Sequence, residues 1–438
     1  MANPVARMGV KVPPQTLEIW GGAEYTCNRV GDRYFHQMEL SGHSGRLEDY
    51  SRFLELGIRT LRVGLLWEEY DQQKSWKQFD DHLSCVRQLG IRPVASLLHH
   101  GSGPEHTSLL DPTFPEKLAE YAGLVAERYP WIDSYTPVNE PNTTARFSGL
   151  YGVWYPHHLS RESYLRALLN QVKGTVLSME AIRRIRPDAR LIQTDDVGSI
   201  SGTEELQETC AVLNERRWLP YDLLCGMVNL AHPMFTYLLD SGISEAEIEW
   251  FTERPCPPSV IGINYYVTSD RFLDHRLALY PESKRSAEGP FVDIEAVRAC
   301  SGGIVGVESV LVEAWERYRI PVAITEVHLG STADEQIRWL AECWEGTTRA
   351  RHRGVDCVGL TVWALLGSFF WNELVTSENG HYEPGVFDLR SGSPVPTQLA
   401  EVVSQIAAGR PPRHRALAHL GWWRRNERIC YGTEDLAA

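Results

Sequence analysis

A short unit recurs along the chain and limits the folds that it can adopt. An amphipathic run ends at a glycine and is followed after one residue by a buried, strand-like run, as at 46–56 before Gly57 and 79–89 before Gly90. The strand-like runs end near residues 20, 65, 98, 138, 194, 263, 325 and 363. Strands that alternate with helices predict a parallel sheet, and eight such units predict the α/β class as a (β/α)8 TIM barrel.

An open, doubly wound sheet is the alternative arrangement for the same alternation. Such sheets that bind dinucleotides carry a glycine-rich phosphate loop after their first strand, and Gly21-Gly22 lacks that pattern. We therefore expect one barrel domain over residues 1–410. Residues 411–438 form a basic, aromatic C-terminal tail for which a docking role, a linker role and packing on the barrel all stay open.

Composition and charge narrow the class of partner. The formal net charge of −14 argues against nucleic acid, because phosphate binding needs a basic surface. No run approaches 18 apolar residues, so no membrane span is expected, and the N-terminus has no apolar signal-like run. The nine cysteines are dispersed without a C-x-x-C pair, which predicts reduced, buried thiols in a cytoplasmic protein. We expect no metal and no cofactor, and a homo-oligomer stays open.

Polar residues follow the predicted strand ends, where barrel enzymes place their chemistry. They are Asn28, Arg62, His99, His100, Asn139, Glu140, Asp195, Asp196, Asn264, Tyr266, Glu326 and Trp363. Taken by itself, Glu140 fits a solvated loop carboxylate. The pair Asp195-Asp196 fits helix capping or a loop better than contact with a substrate.

Glu140 after strand four and Glu326 after strand seven would face one another across the barrel mouth. Two such carboxyl groups can cleave a glycosidic bond, one as proton donor and the other as nucleophile, provided that their pKa values are driven apart. Arg62 is the expected partner of Glu326, since an arginine in an apolar strand is costly unless it is paired. A buried salt bridge without a catalytic role is the alternative for Arg62.

Seven segments, in order, resemble glycoside hydrolase family 1, the β-glucosidase-like retaining enzymes. The segments are 61–67 (LRVGLLW), 97–99 (LLH), 138–141 (VNEP), 149–156 (GLYGVWYP), 262–266 (GINYY), 324–326 (ITE) and 362–366 (VWALL). The resemblance covers about residues 17–405. It implies Glu140 as acid/base, Glu326 as nucleophile, and Arg62 and Tyr266 as supports of the nucleophile. It implies substrate binding by Asn28, His99, Asn139, Asn264, Trp363, Phe370 and Trp371.

The chain departs from the family pattern where the sugar would be held. Asn28 stands at the place of a glutamine, and Phe370 stands at the place of a glutamate that grips sugar hydroxyls. A site without that carboxylate favours a less hydroxylated sugar, deoxy or otherwise modified. His100 and Gly101 replace a tryptophan and an aspartate, and His100 fits a ligand contact or a satisfied loop residue equally well.

The leading hypothesis is a retaining β-glycosidase that hydrolyses O-glycosidic bonds of a carbohydrate or glycoside with an atypical glycone. A transglycosidase with the same residues is one alternative, because the sequence does not show whether water or another acceptor takes the sugar. A noncatalytic carbohydrate-binding barrel is the other. It is disfavoured because binding alone would not need both glutamates together with Arg62, Asn139 and Tyr266.

Overall fold

A closed barrel of eight parallel strands lies at the centre of the protein. The computed structural model describes residues 17–431. The strands, numbered around the barrel, are β1 Glu18–Gly22, β2 Thr60–Gly64, β3 Arg92–Ser96, β4 Ser134–Thr136, β5 Arg190–Asp196, β6 Val260–Asn264, β7 Val322–Val327 and β8 Cys357–Val362. Because β1 is hydrogen-bonded to both β2 and β8, the sheet has no free edge. The predicted TIM barrel is confirmed, and the open sheet is excluded.

Helices connect the strands on the outside of the barrel. The longer ones are Asp49–Glu55, Trp67–Gln73, Lys77–Gln88, Phe114–Arg128, Arg161–Ile185, Gln207–Arg216, Leu219–Leu224, Met234–Leu239, Glu245–Glu253, Val307–Tyr318, Ala333–His352 and Gln398–Ala407. Gly57 and Gly90 follow two of them with φ of 91° and 67°, in the left-handed region that favours glycine at a helix end. The helix expected over 46–56 begins only at Asp49, and the helical region expected over 200–255 holds four separate helices.

Small sheets in the loops were not predicted from the sequence. Cys27–Val30 and Arg33–His36 form a hairpin after β1. Ile200–Gly202, Arg271–Asp274 and Val292–Glu295 form a three-stranded sheet from the loops that follow β5 and β6. These additions follow the carboxyl ends of their barrel strands, so they build up the face of the barrel on which a site is expected.

Apolar side chains fill part of the barrel interior, and a polar group lies nearer the carboxyl ends of the strands. Trp20, Val94, Ile192, Val260 and Ala323 form one buried cluster contributed by five strands. Arg62 of β2 is also buried, and it pairs with Glu326 near the end of β7. The apolar cluster is the packed core of the barrel, and the polar group is where its chemistry can lie.

The C-terminal segment from residue 415 to 431 packs on the barrel. Trp423 is fully buried against Trp339, and its Nε1 donates a 2.8 Å hydrogen bond to Glu342. Arg424 and Arg425 form ion pairs with Glu342 and Glu335 of the helix Ala333–His352. The basic and aromatic residues of this segment are therefore used to hold it against the fold.

All nine cysteines are free, and five of them are buried. Cys85, Cys225 and Cys300 are half-buried and Cys430 is exposed, so the expectation of buried thiols is wrong at these four positions. Between residues 17 and 431, no helix has both the length and the apolar character needed to cross a membrane.

Candidate active site

A cavity of about 710 Å³ opens at the carboxyl ends of the barrel strands. Its volume lies within the range of small-molecule sites, roughly 300–1,000 Å³. Glu140 and Glu326 both line it, together with Tyr266, Trp363 and Trp371. The structure thus brings five of the predicted site residues, from four regions of the chain, to one cavity.

Glu326 is held by two donors. Nη1 of Arg62 donates to its Oε1 at 2.6 Å, and the hydroxyl of Tyr266 donates to its Oε2. Burial raises the pKa of Glu326 to about 7, whereas the charge of Arg62 and both hydrogen bonds act to lower this pKa. The two contacts therefore favour the ionised form of a carboxyl group that burial alone would keep protonated.

Glu140 has a different environment, in which its hydrogen-bond donor among residues 17–431 is an amide. Nδ2 of Asn264 donates to its Oε1 at 2.5 Å, and Thr325 orients that amide by donating to Asn264 Oδ1 at 2.7 Å. Burial, followed by the negative charge of Glu326, raises the pKa of Glu140 well above its ordinary value. Both effects favour the protonated form of Glu140, whereas the contacts of Glu326 favour its ionised form.

Asn139 follows β4 and contacts Arg62 of β2 and Thr194 of β5. Its Oδ1 accepts from Nη2 of Arg62 at 2.6 Å and from the hydroxyl of Thr194 at 2.8 Å. With its oxygen fixed in this way, its Nδ2 lies 3.2 Å from Nε2 of His99 and 3.5 Å from Nε2 of His100. Because two donors contact the same oxygen of Asn139, the positions of its amide oxygen and nitrogen are well determined.

His99 and Trp363 form a flat wall. Their rings are stacked at 5.4 Å with an angle of 5° between them, and Arg62 lies over the Trp363 ring at 4.7 Å. Burial lowers the pKa of His99 well below its ordinary value and that of His100 to about 3, so both rings are neutral. Trp363 also lines the cavity, which suits an apolar face of a sugar ring.

His100 lies at a strained position next to the acid/base candidate. Its φ is 56°, its Nδ1 lies 3.0 Å from the hydroxyl of Thr144, and its Nε2 is 4.0 Å from Oε2 of Glu140. The ring contacts Trp154 and Trp371. His100 lines the cavity, as expected of a ligand contact, and it also has a polar partner in the loop, as expected of a satisfied loop residue.

Of the residues expected to bind substrate, Trp363 and Trp371 line the cavity, whereas Asn28, His99, Asn139, Asn264 and Phe370 do not. Phe370 packs with Phe35 and Val375 in a small apolar cluster and is not part of the cavity wall. Asn28 is buried and donates from Nδ2 to the carbonyl of Val375 at 3.0 Å, so its amide supports the loop after β8. The less hydroxylated sugar expected from the sequence requires that Phe370 face the ligand, and the structure does not place it there.

Sequence reasoning missed Glu24, which lines the same cavity as Glu140 and Glu326. It is a polar residue just beyond the end of β1, so the strand-end rule that selected Glu140 would have selected it as well. Asp195 and Asp196 have separate roles. Asp195 accepts from the backbone N–H of Asn142 at 2.9 Å at the start of the helix Pro141–Ala145, and Asp196 lines the cavity.

Comparison with models of protein families finds no match for this chain. Among solved structures, a family 1 β-glucosidase from Thermotoga maritima is similar, with a TM-score of 0.71 at 16% identity over 91% of this chain and 99% of that one. Complexes of Thermotoga maritima β-glucosidase with a methoxycarbonyl-substituted glucoimidazole and with cyclophellitol have TM-scores of 0.70 and 0.68, at 17% and 18% identity. Each of these two comparisons covers 85% of this chain and 88% of the other. The chain thus has the (β/α)8 fold of these family 1 β-glucosidases, at low sequence identity.

Proposed function

We propose that this protein is a retaining β-glycosidase that hydrolyses an O-glycosidic bond by double displacement. The observation that carries the proposal is the unequal environment of two buried carboxyl groups at one cavity. Glu326 accepts hydrogen bonds from a guanidinium and a hydroxyl, whereas Glu140 accepts one from the amide of Asn264. Such a difference supports the two roles that a glycosidase needs, an ionised nucleophile and a protonated acid.

In the first step Glu140 gives its proton to the glycosidic oxygen while the carboxylate of Glu326 attacks the anomeric carbon. The carbon–oxygen bond to the leaving group breaks, and the sugar becomes an ester of Glu326. In the second step Glu140, now ionised, removes a proton from water as that water attacks the anomeric carbon and releases Glu326. Two inversions at one carbon retain its configuration.

The neighbouring residues position these groups. Arg62 contacts both Glu326 and Asn139, so one guanidinium fixes the nucleophile and the amide beside the acid. Loss of the proton from Glu140 in the first step is eased because Glu326 loses its charge at the same time. Transfer of the sugar to an acceptor other than water would use the same residues, and product analysis distinguishes the two outcomes.

The test of this proposal is trapping with 2-deoxy-2-fluoro glycosides that carry good leaving groups, followed by peptide mass spectrometry. We expect a label on Glu326 with at least one sugar and none on Glu326→Gln. A label on another residue would refute the nucleophile assignment. Absence of any label and of any turnover across the sugar panel would favour a noncatalytic carbohydrate-binding barrel.

Glu140→Gln tests the acid. We expect this variant to lose on the order of 10²- to 10⁴-fold in kcat/KM on glycosides with poor leaving groups, which need a proton donor. Glycosides with good leaving groups should still form the labelled Glu326, because their departure needs no proton. Equal activity of the variant and the wild type on poor leaving groups would show that another group supplies the proton.

A further inference from the structure

Several carboxyl groups besides those of Glu140 and Glu326 line the cavity, and that of Glu24 has no part in the proposed reaction. Glu24 lies just after β1, is 6% exposed, and lines the cavity together with Glu140 and Glu326. A buried carboxylate is costly unless it has partners or a function, so its contacts indicate what it does.

Three donors fix the orientation of the Glu24 carboxyl group. Its Oε1 accepts from the backbone N–H of Thr26 at 2.9 Å and from the Thr26 hydroxyl at 2.7 Å. Its Oε2 accepts from Nε1 of Trp363 at 3.2 Å. A carboxylate has about four acceptor positions, so one position on Oε2 is left for a ligand.

The contacts of Glu24 also show which part of a substrate it would meet. It is bonded to Trp363, and its Oε1 lies 3.7 Å from Nε2 of His99, the ring stacked on Trp363. Glu24 therefore belongs to the wall that Trp363 offers to a sugar ring. Phe370, by contrast, is packed in the apolar cluster with Phe35 and Val375.

We propose that Glu24 is a substrate-binding residue whose Oε2 accepts a hydrogen bond from a hydroxyl group of the glycone. This inference rests on the proposed glycosidase site and defines its substrate further. The sugar carries a hydroxyl at the position that faces Glu24, and the segment just after β1 supplies the carboxylate that accepts from it. A sugar that is deoxygenated at that position leaves a desolvated carboxylate without its partner, which disfavours its binding.

The test measures binding rather than turnover, so that it does not depend on catalysis. Methyl β-glycosides of common hexoses and their monodeoxy analogues are titrated into the Glu140→Gln protein by calorimetry. We expect one hydroxyl whose removal weakens binding roughly 10- to 100-fold, as for a hydrogen bond to a charged group. In the double variant with Glu24→Gln, the ratio between that deoxy analogue and its parent should fall toward one.

Glu68→Gln is the matched control, since Glu68 is also a buried glutamate but lies outside the cavity wall. It should keep the full discrimination. Thermal unfolding shows whether Glu24→Gln folds. If it does not, Glu24→Asp replaces it in the same comparison, because aspartate keeps the charge but has a side chain one methylene shorter.

Three results would overturn the inference about Glu24. The first is an equal loss of affinity for the parent sugar and for every deoxy analogue in the double variant with Glu24→Gln. The second is tightest binding of the analogue that lacks the hydroxyl assigned to Glu24. The third is no binding of any sugar. The trapping experiment is a separate readout. Discrimination that depends on Glu24, without a label on Glu326, would uphold Glu24 as a sugar-binding residue and refute the hydrolytic function.

Discussion

The hydroxyl of Tyr266 and the guanidinium of Arg62 both donate to Glu326, and each contact stabilises its ionised form. Activity that depends on an ionised Glu326 falls as the pH drops through its pKa of about 7. In the proposed mechanism activity also falls at higher pH, when Glu140 loses the proton that it would donate. The expected profile of kcat/KM is therefore bell-shaped, and its acid limb belongs to Glu326.

Tyr266→Phe removes one donor from Glu326 and leaves the ring in place. Because this hydrogen bond lowers the pKa of Glu326, its loss raises that pKa and moves the acid limb of the kcat/KM profile to higher pH. We expect kcat/KM near neutral pH to fall roughly 10- to 100-fold. The neighbouring Tyr265→Phe, whose hydroxyl contacts Asp270 instead, should leave the acid limb unchanged. An unshifted acid limb in Tyr266→Phe would contradict the assignment of that limb to Glu326.

The junction between β4 and the helix Pro141–Ala145 places Glu140 in a conformation that glutamate seldom adopts. Glu140 has φ of 47° and ψ of 60°, in the left-handed region. Its backbone N–H donates to the carbonyl of Thr194 at 3.1 Å, and Asp195 accepts from the N–H of Asn142. The neighbouring strand β5 therefore provides the contacts that hold this strained turn.

Asp195→Ala removes the side-chain anchor of that turn. We expect the free energy of unfolding to fall by about 1–2 kcal/mol, as for loss of a helix cap, and activity to fall because Glu140 is placed less accurately. Urea unfolding and kcat/KM on one substrate measure the two effects. Asp188→Ala, at a 71% exposed side chain just before β5, should change stability by less than about 0.5 kcal/mol. Wild-type stability and activity in Asp195→Ala would show that the turn needs no such anchor.

Long helices could be predicted from the sequence because their periodicity extends over many residues, and the barrel strands could be placed as the short buried runs between them. The helix Phe114–Arg128, for example, buries Leu118, Tyr121, Ala122 and Val125 along one face. Strands of three or four residues, such as Cys27–Val30, have no such extended pattern. For Ile200–Gly202, the partner strand Arg271–Asp274 is also distant in the chain, so this pairing exists only once the chain has folded.

At the scale of the whole molecule, the C-terminal segment completes the wall of the cavity. Trp422 and Tyr431 line it, and between them in the chain Trp423 is buried against the barrel. The guanidinium carbon of Arg298 lies over the ring of Trp422, 4.0 Å from the ring centroid. A segment that is remote in sequence from both glutamates thus shapes the space available to a ligand.

Trp423→Ala tests how firmly this segment is anchored. Removing a fully buried indole, together with its hydrogen bond to Glu342, should lower the free energy of unfolding by about 3–5 kcal/mol. Chemical denaturation measures the change, with Leu420→Ala as the control because that side chain is 65% exposed. A loss below about 1 kcal/mol would show that the segment contributes little to the fold.

The sequence by itself determined the barrel and the positions of Glu140 and Glu326, since repeated helices and strands lead to one closed sheet with its strand ends on one face. Only the tertiary structure decided which side chains face the cavity. Glu24 and Trp363 are hydrogen-bonded although they are 339 positions apart in the chain, and Phe370 packs in an apolar cluster. Such contacts depend on how distant loops pack on the barrel, and local residue patterns do not encode that packing.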